Sequence, residues 1–392
     1  MKNAYTILDF AEYYRVTVRE LPSDIILERE PLCPCCDIEM NIVCALVAHQ
    51  GKQILNIGAC PECGTRGYID RPSRQWIEEF YTDTWDIHTA LNAEQVRAFP
   101  RIELDKKSSR RVAAIAASSL DVARRLRALD IGVGYGSILR HFQESGFGEV
   151  VGVEHSPHRA DVVARAFDAK VCVGPFESDD VQSILRHNKP FDAIVSHHVF
   201  EHVVDPRRFI RCASELQARG GIFVLAVPDA LGEHAGYQAL YPPHLYSYTK
   251  YGIETLLMKH GYEVIEDVSP TFDNMILKMI RVDKPSRRFF TKDPRAFQGV
   301  LERFEQGLGF NQGEVVKRYG VFWLQPNRSP HDFTRIPMRG FQWRIQSLYM
   351  KLLARIGRYR SDHAMYIGPA VKKYSNAPFE LQWDGPLRLL FK

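Results

Sequence analysis

The sequence predicts an α/β fold built around a mostly parallel sheet over residues 126–282. Seven short apolar segments alternate there with amphipathic segments of helical period, the pattern of strands with helices on both faces. These segments are RALDIG, EVVGVEH, AKVCVG, FDAIVSH, GGIFVLAVP, YEVIED and NMILKMIRV. Three glycines at alternate positions, Gly132, Gly134 and Gly136, follow the first segment, where the predicted strand turns into a helix.

Length and composition fit a soluble chain of more than one domain. The 392 residues are 45% hydrophobic and 25% charged, and the net charge of +4 is too small to indicate nucleic-acid binding by the whole chain. No apolar run reaches the length of a membrane-spanning helix, and the N-terminus lacks the apolar block of a secretory signal. We therefore expect a cytoplasmic protein whose eight cysteines are thiols or metal ligands.

Six of the eight cysteines lie before residue 64. Four of them form two C-x-x-C pairs, Cys33 with Cys36 and Cys60 with Cys63. Two such pairs, 23 residues apart, favour one tetrahedral zinc ion whose shell of four thiolates is closed and structural. Cys35 is then a spare thiol, and a redox dithiol is the alternative. Cys172 and Cys212 stand alone in apolar surroundings, so we expect both to be buried.

The glycine turn matches neither common phosphate-binding loop. Counting from Gly132, the sixth position is Ser137 where a dinucleotide fingerprint needs glycine, and no Lys follows as a P-loop requires. Instead Asp130 precedes the glycines, and a second acid, Glu154, ends the next apolar segment. A carboxylate at that place can accept hydrogen bonds from both hydroxyls of a ribose. The pattern therefore predicts a nucleoside ligand with an intact ribose diol.

These segments resemble motifs of the class I S-adenosylmethionine (SAM) dependent methyltransferases. LDIGVGYGSILRHFQESGFGEVVGVEHSPHRADVVA is similar to the first two motifs of that family, and FDAIVSHHVFEHVVDPRRFIRCASELQARGGIFVLAVPD to its later ones. HLYSYTKYGIETLLMKHGYEV is similar to the segment that follows in the branch acting on small molecules. The resemblance covers about 126–282 and implies a Rossmann-like domain with a mostly parallel seven-stranded sheet.

The resemblance also implies which residues hold SAM. The glycine loop would hold its methionine end, Asp130 would support the ammonium group or the loop, and Glu154 would hold the ribose. Pro175 stands where the family often has the acid that meets adenine, so Phe176 would pack on the adenine with Glu177 nearby. The full expected set is Asp130, Gly132, Gly134, Gly136, Glu154, His155, Phe176, Glu177, Ser196, His197 and Tyr81.

A methyl acceptor that is a hydroxyl, or a carbon that must become an enolate, needs a base beside the methyl group. The candidates, from SHHVFEHVVDP and YPPHLYSY, are His197, His198, Glu201, His202 and His244, with Tyr241 and Tyr246 beside them. Successive strand residues face opposite ways, so we expect His197 to face the site and His198 to face away. Scaffolding or wall roles for His202 and His244 are the alternative.

The stretch CPECGTRGYIDRPSRQWIEEFYTDTWD resembles the zinc module and linker of bacterial methyltransferases that act on sugars or surface carbohydrates. This implies that Tyr81 or Trp85 closes over SAM, whereas core aromatics at helical spacing are the alternative. The predicted organisation is a lead-in (1–30), a zinc-binding module (31–75), a helical linker (76–125), the methyltransferase domain (126–282) and a C-terminal α+β extension (283–392).

Residues 335–360 contain seven Arg or Lys and no Asp or Glu, with apolar residues at helical spacing. They predict a basic amphipathic helix, either docked with its basic face in solvent or placed against an anionic membrane or a phosphate-bearing ligand. The sequence as a whole predicts methyl transfer from SAM to a small molecule, with a sugar or nucleotide-linked carbohydrate as the favoured acceptor. An RNA acceptor, disfavoured by the weak charge, and a non-catalytic zinc scaffold are the alternatives. The oligomeric state is left open.

Overall fold

The computed structural model describes residues 25–48, 53–84, 91–98, 110–118, 120, 125–232, 243–270 and 274–300, and the backbone of six short strands near the two ends of the chain. The first strands are β1 (Tyr5–Phe10), β2 (Leu27–Arg29), β3 (Asn41–Ala48), β4 (Gln53–Ala59), β5 (Arg66–Tyr68) and β6 (Asp70–Pro72). Strands β3 and β4 are an antiparallel pair. They coincide with the two apolar runs NIVCALVA and QILNIGA.

Helices follow the first strands, as the linker's sequence predicts. Helix α1 (Arg74–Glu79) begins at Ser73, whose Oγ accepts a hydrogen bond from the Trp76 amide at 3.2 Å, and it continues into a π-helical turn, Phe80–Thr84. Helix α2 (Ala93–Ala98) and helix α3 (residues 110–117) come next. A π-helical turn is rare and is found mostly at functional sites.

The large sheet and its helices occupy residues 127–281. In chain order they are β7 (Arg127–Ile131), α4 (Ser137–Glu144), β8 (Glu149–Glu154), α5 (Pro157–Phe167), β9 (Lys170–Val173), α6 (Asp179–His187), β10 (Phe191–His197), α7 (Pro206–Leu216), β11 (Gln217–Pro228), β12 (Tyr246–Ser247), α8 (Lys250–Lys259), β13 (Tyr262–Asp267) and β14 (Asn274–Arg281). The seven strands other than β12 form one sheet of order β13-β14-β11-β10-β7-β8-β9.

Five neighbouring strands of this sheet, β11, β10, β7, β8 and β9, are parallel, and β14 and β13 are antiparallel additions. The central strands are buried on both faces, which explains why they read as continuous apolar runs. The seven predicted segments are these seven strands, so the predicted α/β fold with a mostly parallel sheet is confirmed.

A second sheet has the order β12-β5-β4-β3-β19-β1-β18, with β18 at Val371–Ala377 and β19 at Leu387–Phe391. Its edge strand β12 comes from the region predicted to be methyltransferase domain, and it pairs with β5 so that Tyr246 lies opposite Gly67. A Cβ added to Gly67 would lie 2.6 Å from the Tyr246 ring, so this close pairing requires glycine. The predicted domain boundaries stay predictions.

The remaining strands, β15 (Val321–Leu324), β16 (Thr334–Ile336) and β17 (Ala364–Ile367), form a three-stranded sheet. The basic helix predicted for 335–360 lies outside the described residues, apart from its first two, which belong to β16. Among the helices that the structure describes, none is long and apolar enough to cross a membrane.

Candidate active site and cysteine centre

The glycine loop leaves the carboxyl end of β7 with left-handed backbone at each of its three glycines. At Gly132, φ is 79° and an added Cβ would lie 2.0 Å from Cγ2 of Val199, so the loop excludes a side chain there. At Gly134, φ is 55° and an added Cβ would meet nothing within 4 Å. The bare backbone of Gly134 therefore borders open space that a ligand can enter.

That open space belongs to a cavity of about 440 Å³ at the carboxyl ends of β7, β8 and β10, within the size range of small-molecule sites. The residues of the predicted cofactor set that line it are Tyr81, Gly132, Gly134, Glu154, His155, Phe176, Glu177 and His197. Three others do not line it. Asp130 and Ser196 are buried within the sheet, and Gly136 is the N-cap of α4.

Glu154 is fixed at the cavity wall by the backbone around it. Its Oε2 accepts a hydrogen bond from the Gly134 amide at 2.7 Å, and its Oε1 accepts one from the Ser156 amide at 3.0 Å. The residue is 8% exposed and ends β8, where the sequence predicts the ribose-binding acid. The loop and the acid thus form one preorganised unit.

We expect Glu154→Ala to weaken SAM binding by at least about tenfold, because it removes a carboxylate that accepts charge-assisted hydrogen bonds. Titration calorimetry with SAM measures the change. Glu149→Ala is the matched control, because Glu149 begins the same strand and pairs with Arg127 and Lys170 instead. Equal SAM affinity in Glu154→Ala and wild type would contradict the ribose assignment.

Asp130 lies behind the glycine loop and does not line the cavity. The residue is 1% exposed, and its Oδ2 accepts a hydrogen bond from the Leu139 amide in the first turn of α4 at 3.0 Å. Burial raises the pKa of Asp130 to about 7. Of the two roles that the resemblance implies for this acid, this hydrogen bond favours support of the loop, and the assignment stays a prediction.

The raised pKa of Asp130 makes stability depend on pH. The folded-state pKa of about 7 exceeds that of an exposed Asp, about 3.9, so this contribution is fully present below about pH 4 and is lost as the pH rises through 7. We expect Asp130→Asn, which keeps an acceptor oxygen and cannot ionise, to gain unfolding free energy relative to wild type between pH 4 and pH 8. Urea unfolding at several pH values tests this; a pH-independent difference would contradict it.

Tyr81 connects the two ends of the cavity. Its ring lies over His155, with centroids 5.4 Å apart, and its hydroxyl is 2.8 Å from Nδ1 of His202. Burial lowers the pKa of His155 to about 4, so that imidazole is neutral near pH 7. Tyr81 therefore lies where the resemblance implies a residue closing over SAM, whereas Trp85 lies outside the described residues.

Besides His155, three imidazoles from the end of β10 and the turn after it, His197, His198 and His202, line the cavity. The expectation that His198 faces away is wrong, because its φ of 55° takes it out of the strand and breaks the alternation of faces. Nδ1 of His198 is 3.3 Å from Oε1 of Glu201. A carboxylate only accepts, so Nδ1 carries the proton and Nε2 is the proton-accepting nitrogen. The H-x-x-E spacing of His198 and Glu201 is the sequence signal that could have identified this pair.

Glu201 and His244 lie behind His202. Glu201 is 1% exposed; burial alone raises its pKa, but the hydrogen bond from His198 and the nearby His202 bring the pKa below the usual range. The rings of His202 and His244 are 4.6 Å apart, and Nδ1 of His202 is 3.0 Å from the Pro243 carbonyl oxygen. Tyr241 lies outside the described residues.

The four predicted metal ligands come together. The sulfur atoms of Cys33, Cys36, Cys60 and Cys63 all lie within 4.8 Å of one another, and those of Cys33 and Cys63 are 3.7 Å apart. Tetrahedral coordination with bonds of about 2.3 Å places sulfurs about 3.8 Å apart. The cluster therefore fits a zinc ion held by four thiolates.

The two C-x-x-C turns have the same backbone geometry. The Asp37 amide donates to the Cys33 carbonyl at 3.0 Å, and the Gly64 amide donates to the Cys60 carbonyl at 2.8 Å. Both donors have positive φ, 65° and 74°. Two equivalent turns that aim four sulfurs at one point are an arrangement for holding a metal, and the redox alternative does not require it. Outside the cluster, Cys172 and Cys212 are buried, as expected.

Hydrogen bonds tie the cysteine module to the elements that carry the imidazoles. Oγ1 of Thr249, the N-cap of α8, donates to the Cys63 carbonyl at 2.5 Å. Arg71 of β6 donates from Nη1 to the Val204 carbonyl at 3.2 Å and to the Tyr246 hydroxyl at 2.9 Å. Burial raises the pKa of Tyr246 to about 12, so its hydroxyl stays protonated and serves the module rather than the acceptor.

Comparison with known proteins identifies the domain that holds this site. Residues 92–267 match the family model described as a methyltransferase domain. Two curated ubiquinone biosynthesis O-methyltransferases are similar to part of it. The protein from Caulobacter sp. (strain K31) is 32% identical over 102 residues, and that from Methylocella silvestris is 27% identical over 101. Each alignment covers 26% of this chain, which spans 40% and 39% of those relatives' lengths.

Solved structures give weaker likenesses. An S-adenosylmethionine-dependent methyltransferase from Clostridium acetobutylicum ATCC 824 matches with a TM-score of 0.38 and 11% identity, over 47% of this chain and 95% of its own. The CcbJ methyltransferase from Streptomyces caelestis matches with a TM-score of 0.38 and 14% identity, over 45% and 90%.

The family model spans β7 to β13 and the helices between them, and the contact between the glycine loop and Glu154 lies inside that span. Strand order, loop conformation and matched domain agree on one assignment. Residues 92–267 are therefore a methyltransferase domain, and its strand order and glycine loop are those implied by the resemblance to the class I SAM-dependent methyltransferases.

Proposed function

We propose that the chain transfers a methyl group from SAM to a hydroxyl of a small molecule, and that this acceptor is a sugar or a nucleotide-linked carbohydrate. The observation that carries the proposal is the pair His198–Glu201, which presents a proton-accepting nitrogen at the wall of the cavity bordered by Gly134 and Glu154. The names of the O-methyltransferase relatives support a hydroxyl acceptor. The carbohydrate acceptor rests on the resemblance of the zinc module to that of sugar methyltransferases.

When bound, SAM supplies an electrophilic methyl carbon on a sulfonium, so the donor needs no activation by the protein. The chain's residues then have to align the acceptor oxygen with that carbon and take its proton. In the proposed step the proton goes to Nε2 of His198 as the oxygen–carbon bond forms, and the electron pair of the broken carbon–sulfur bond stays on sulfur. Glu201 stabilises the imidazolium that results.

The other imidazoles have different environments. Burial, together with the neighbouring His198, holds the pKa of His197 well below its usual range, which suits a neutral wall residue. His202 is held by Tyr81 and the Pro243 carbonyl, and burial lowers its pKa too. His197, His202 and His244 stay as alternative bases, and variants of each belong beside those of His198.

The test is direct: the protein is incubated with methyl-labelled SAM and a panel of nucleotide sugars, and S-adenosylhomocysteine and labelled product are measured. We expect an oxygen-linked methyl group on one member of the panel. Salt-dependent RNA binding together with transfer of the labelled methyl group to RNA would contradict the carbohydrate acceptor and support the RNA acceptor instead. Absence of SAM binding in titration calorimetry would replace the proposal with the non-catalytic scaffold.

A further inference from the structure

We propose that Glu201, His202 and His244 form a second metal site, separate from the cysteine centre, that binds one divalent transition-metal cation. One ligand atom from each of these three side chains, an imidazole nitrogen or a carboxylate oxygen, lies within 4.8 Å of the other two. Bonds of about 2.0–2.2 Å to a shared cation need ligand atoms no more than about 4.4 Å apart, so only a small side-chain adjustment brings all three to one cation and leaves a further coordination position open. The occupant's role in catalysis rests on the proposed function, whereas its binding does not.

The carboxylate of Glu201 is buried beside these imidazoles and points to a bound cation. The side chain is 1% exposed, and its Oε1 is 3.3 Å from Nδ1 of His198. Its Oε2 is fully buried and has no hydrogen-bond partner among the described residues. An unpaired carboxylate oxygen in the interior is costly unless a positive charge compensates it. Because Oε1 is engaged by His198, Oε2 is the oxygen that is left for a cation.

The orientation of His202 points to a cation independently of Glu201. The Pro243 carbonyl oxygen, 3.0 Å from Nδ1, can only accept, so Nδ1 carries the proton and Nε2 has a lone pair. That Nε2 lies 3.8 Å from Oε1 of Glu201, which places two electron-pair donors opposite each other with no hydrogen between them. Metal-binding histidines commonly donate their other ring N–H to a backbone carbonyl, as His202 does here.

The donor set indicates the kind of cation. Two imidazoles and one carboxylate suit Zn²⁺, Fe²⁺, Co²⁺ or Mn²⁺, whereas Mg²⁺ and Ca²⁺ prefer oxygen ligands alone. His202 also lines the cavity, so an acceptor hydroxyl that reached the bound cation would have its pKa lowered. His198, which is not one of the three ligands, then remains available to take the proton.

The test uses Co²⁺ on the full-length chain with its cysteine centre already loaded with zinc, without SAM or acceptor. We expect one Co²⁺ per chain beyond the zinc, measured by elemental analysis after gel filtration, and a visible spectrum without the intense sulfur-to-cobalt charge transfer of thiolate ligands. His244→Ala should weaken Co²⁺ binding at least about tenfold, and Glu201→Gln similarly. His187→Ala, an exposed imidazole on α6, is the matched control and should bind as wild type.

Each result decides the proposal. No Co²⁺ beyond the zinc in wild type, or equal binding by a folded His244→Ala variant, would overturn it. His244 is only partly buried and sits in a loop before β12, so its replacement keeps the fold testable by circular dichroism even if Glu201→Gln does not fold. Because the readout is metal content, a negative result leaves the methyl-transfer proposal to its own assay.

Discussion

His198→Asn is expected to lower kcat for methyl transfer by about 10²–10⁴-fold, the contribution of a positioned general base. Asn is the suitable replacement because it tolerates the left-handed backbone at φ 55° while removing the basic nitrogen. Single-turnover rates at saturating SAM, measured across pH, check the prediction. The acidic limb of the wild-type profile should disappear in the variant, a change that a purely structural role would not produce.

His187→Asn provides the matched control for this experiment, because its imidazole is exposed on α6 and bonds only the Ser183 carbonyl at 2.7 Å among the contacts described for it. Calorimetry with SAM on His198→Asn separates loss of the base from loss of cofactor binding. If rate and pH profile both match the wild type, His198 is not the base, and His202, His197 and His244 become the candidates.

Cys63→Ser is expected to remove the metal from the cysteine centre and lower the unfolding free energy of the chain by several kcal/mol. Structural zinc contributes about 10–16 kcal/mol of binding free energy in small zinc-dependent peptides, where binding is coupled to folding. Loss of the metal should also loosen residues 243–250, the segment that carries His244, because the Cys63 carbonyl accepts the hydrogen bond of Thr249 at the start of α8. Zinc analysis, thermal unfolding and hydrogen exchange at residues 243–250 measure these effects.

Two other cysteines control for the loss of a thiol. Cys172→Ser replaces a buried thiol in β9, and Cys35→Ser replaces the spare thiol beside the cluster, which Thr65 contacts through Oγ1 at 3.7 Å. Both should retain one zinc per chain. A wild-type protein that contains no zinc and forms disulfides reversibly within the cluster would instead support the redox alternative.

The parts of this molecule that sequence reasoning predicted are those written in contiguous residues. The glycine loop and the acid after β8 lie within one strand–helix–strand unit, and each C-x-x-C turn is four residues long. The glycine loop requires backbone without side chains, and each C-x-x-C turn requires two sulfur atoms directed to one point. Neighbouring residues in the sequence meet each requirement. The seven strands followed from their apolar runs for the same reason.

The parts that were missed depend on tertiary packing. His198 faces the cavity only because the chain turns left-handed after β10, and an alternation rule cannot foresee that. The approach of His244 to Glu201 and His202 depends on how a distant loop packs on the turn after β10. Arg71 meets Tyr246 across a separation of 175 residues, which no spacing rule in the sequence encodes.

The antiparallel pairing of β5 with β12 restricts how this protein can be recombined with a homologue. A cut near residue 76 would strip β5 of a hydrogen-bonding neighbour and release the segment that carries His244. Neither piece can therefore be moved alone into another protein with its pairing intact. A chimera between two homologues should inherit residues 25–72 and 243–259 from the same parent, even though about 170 residues of intervening chain can come from the other.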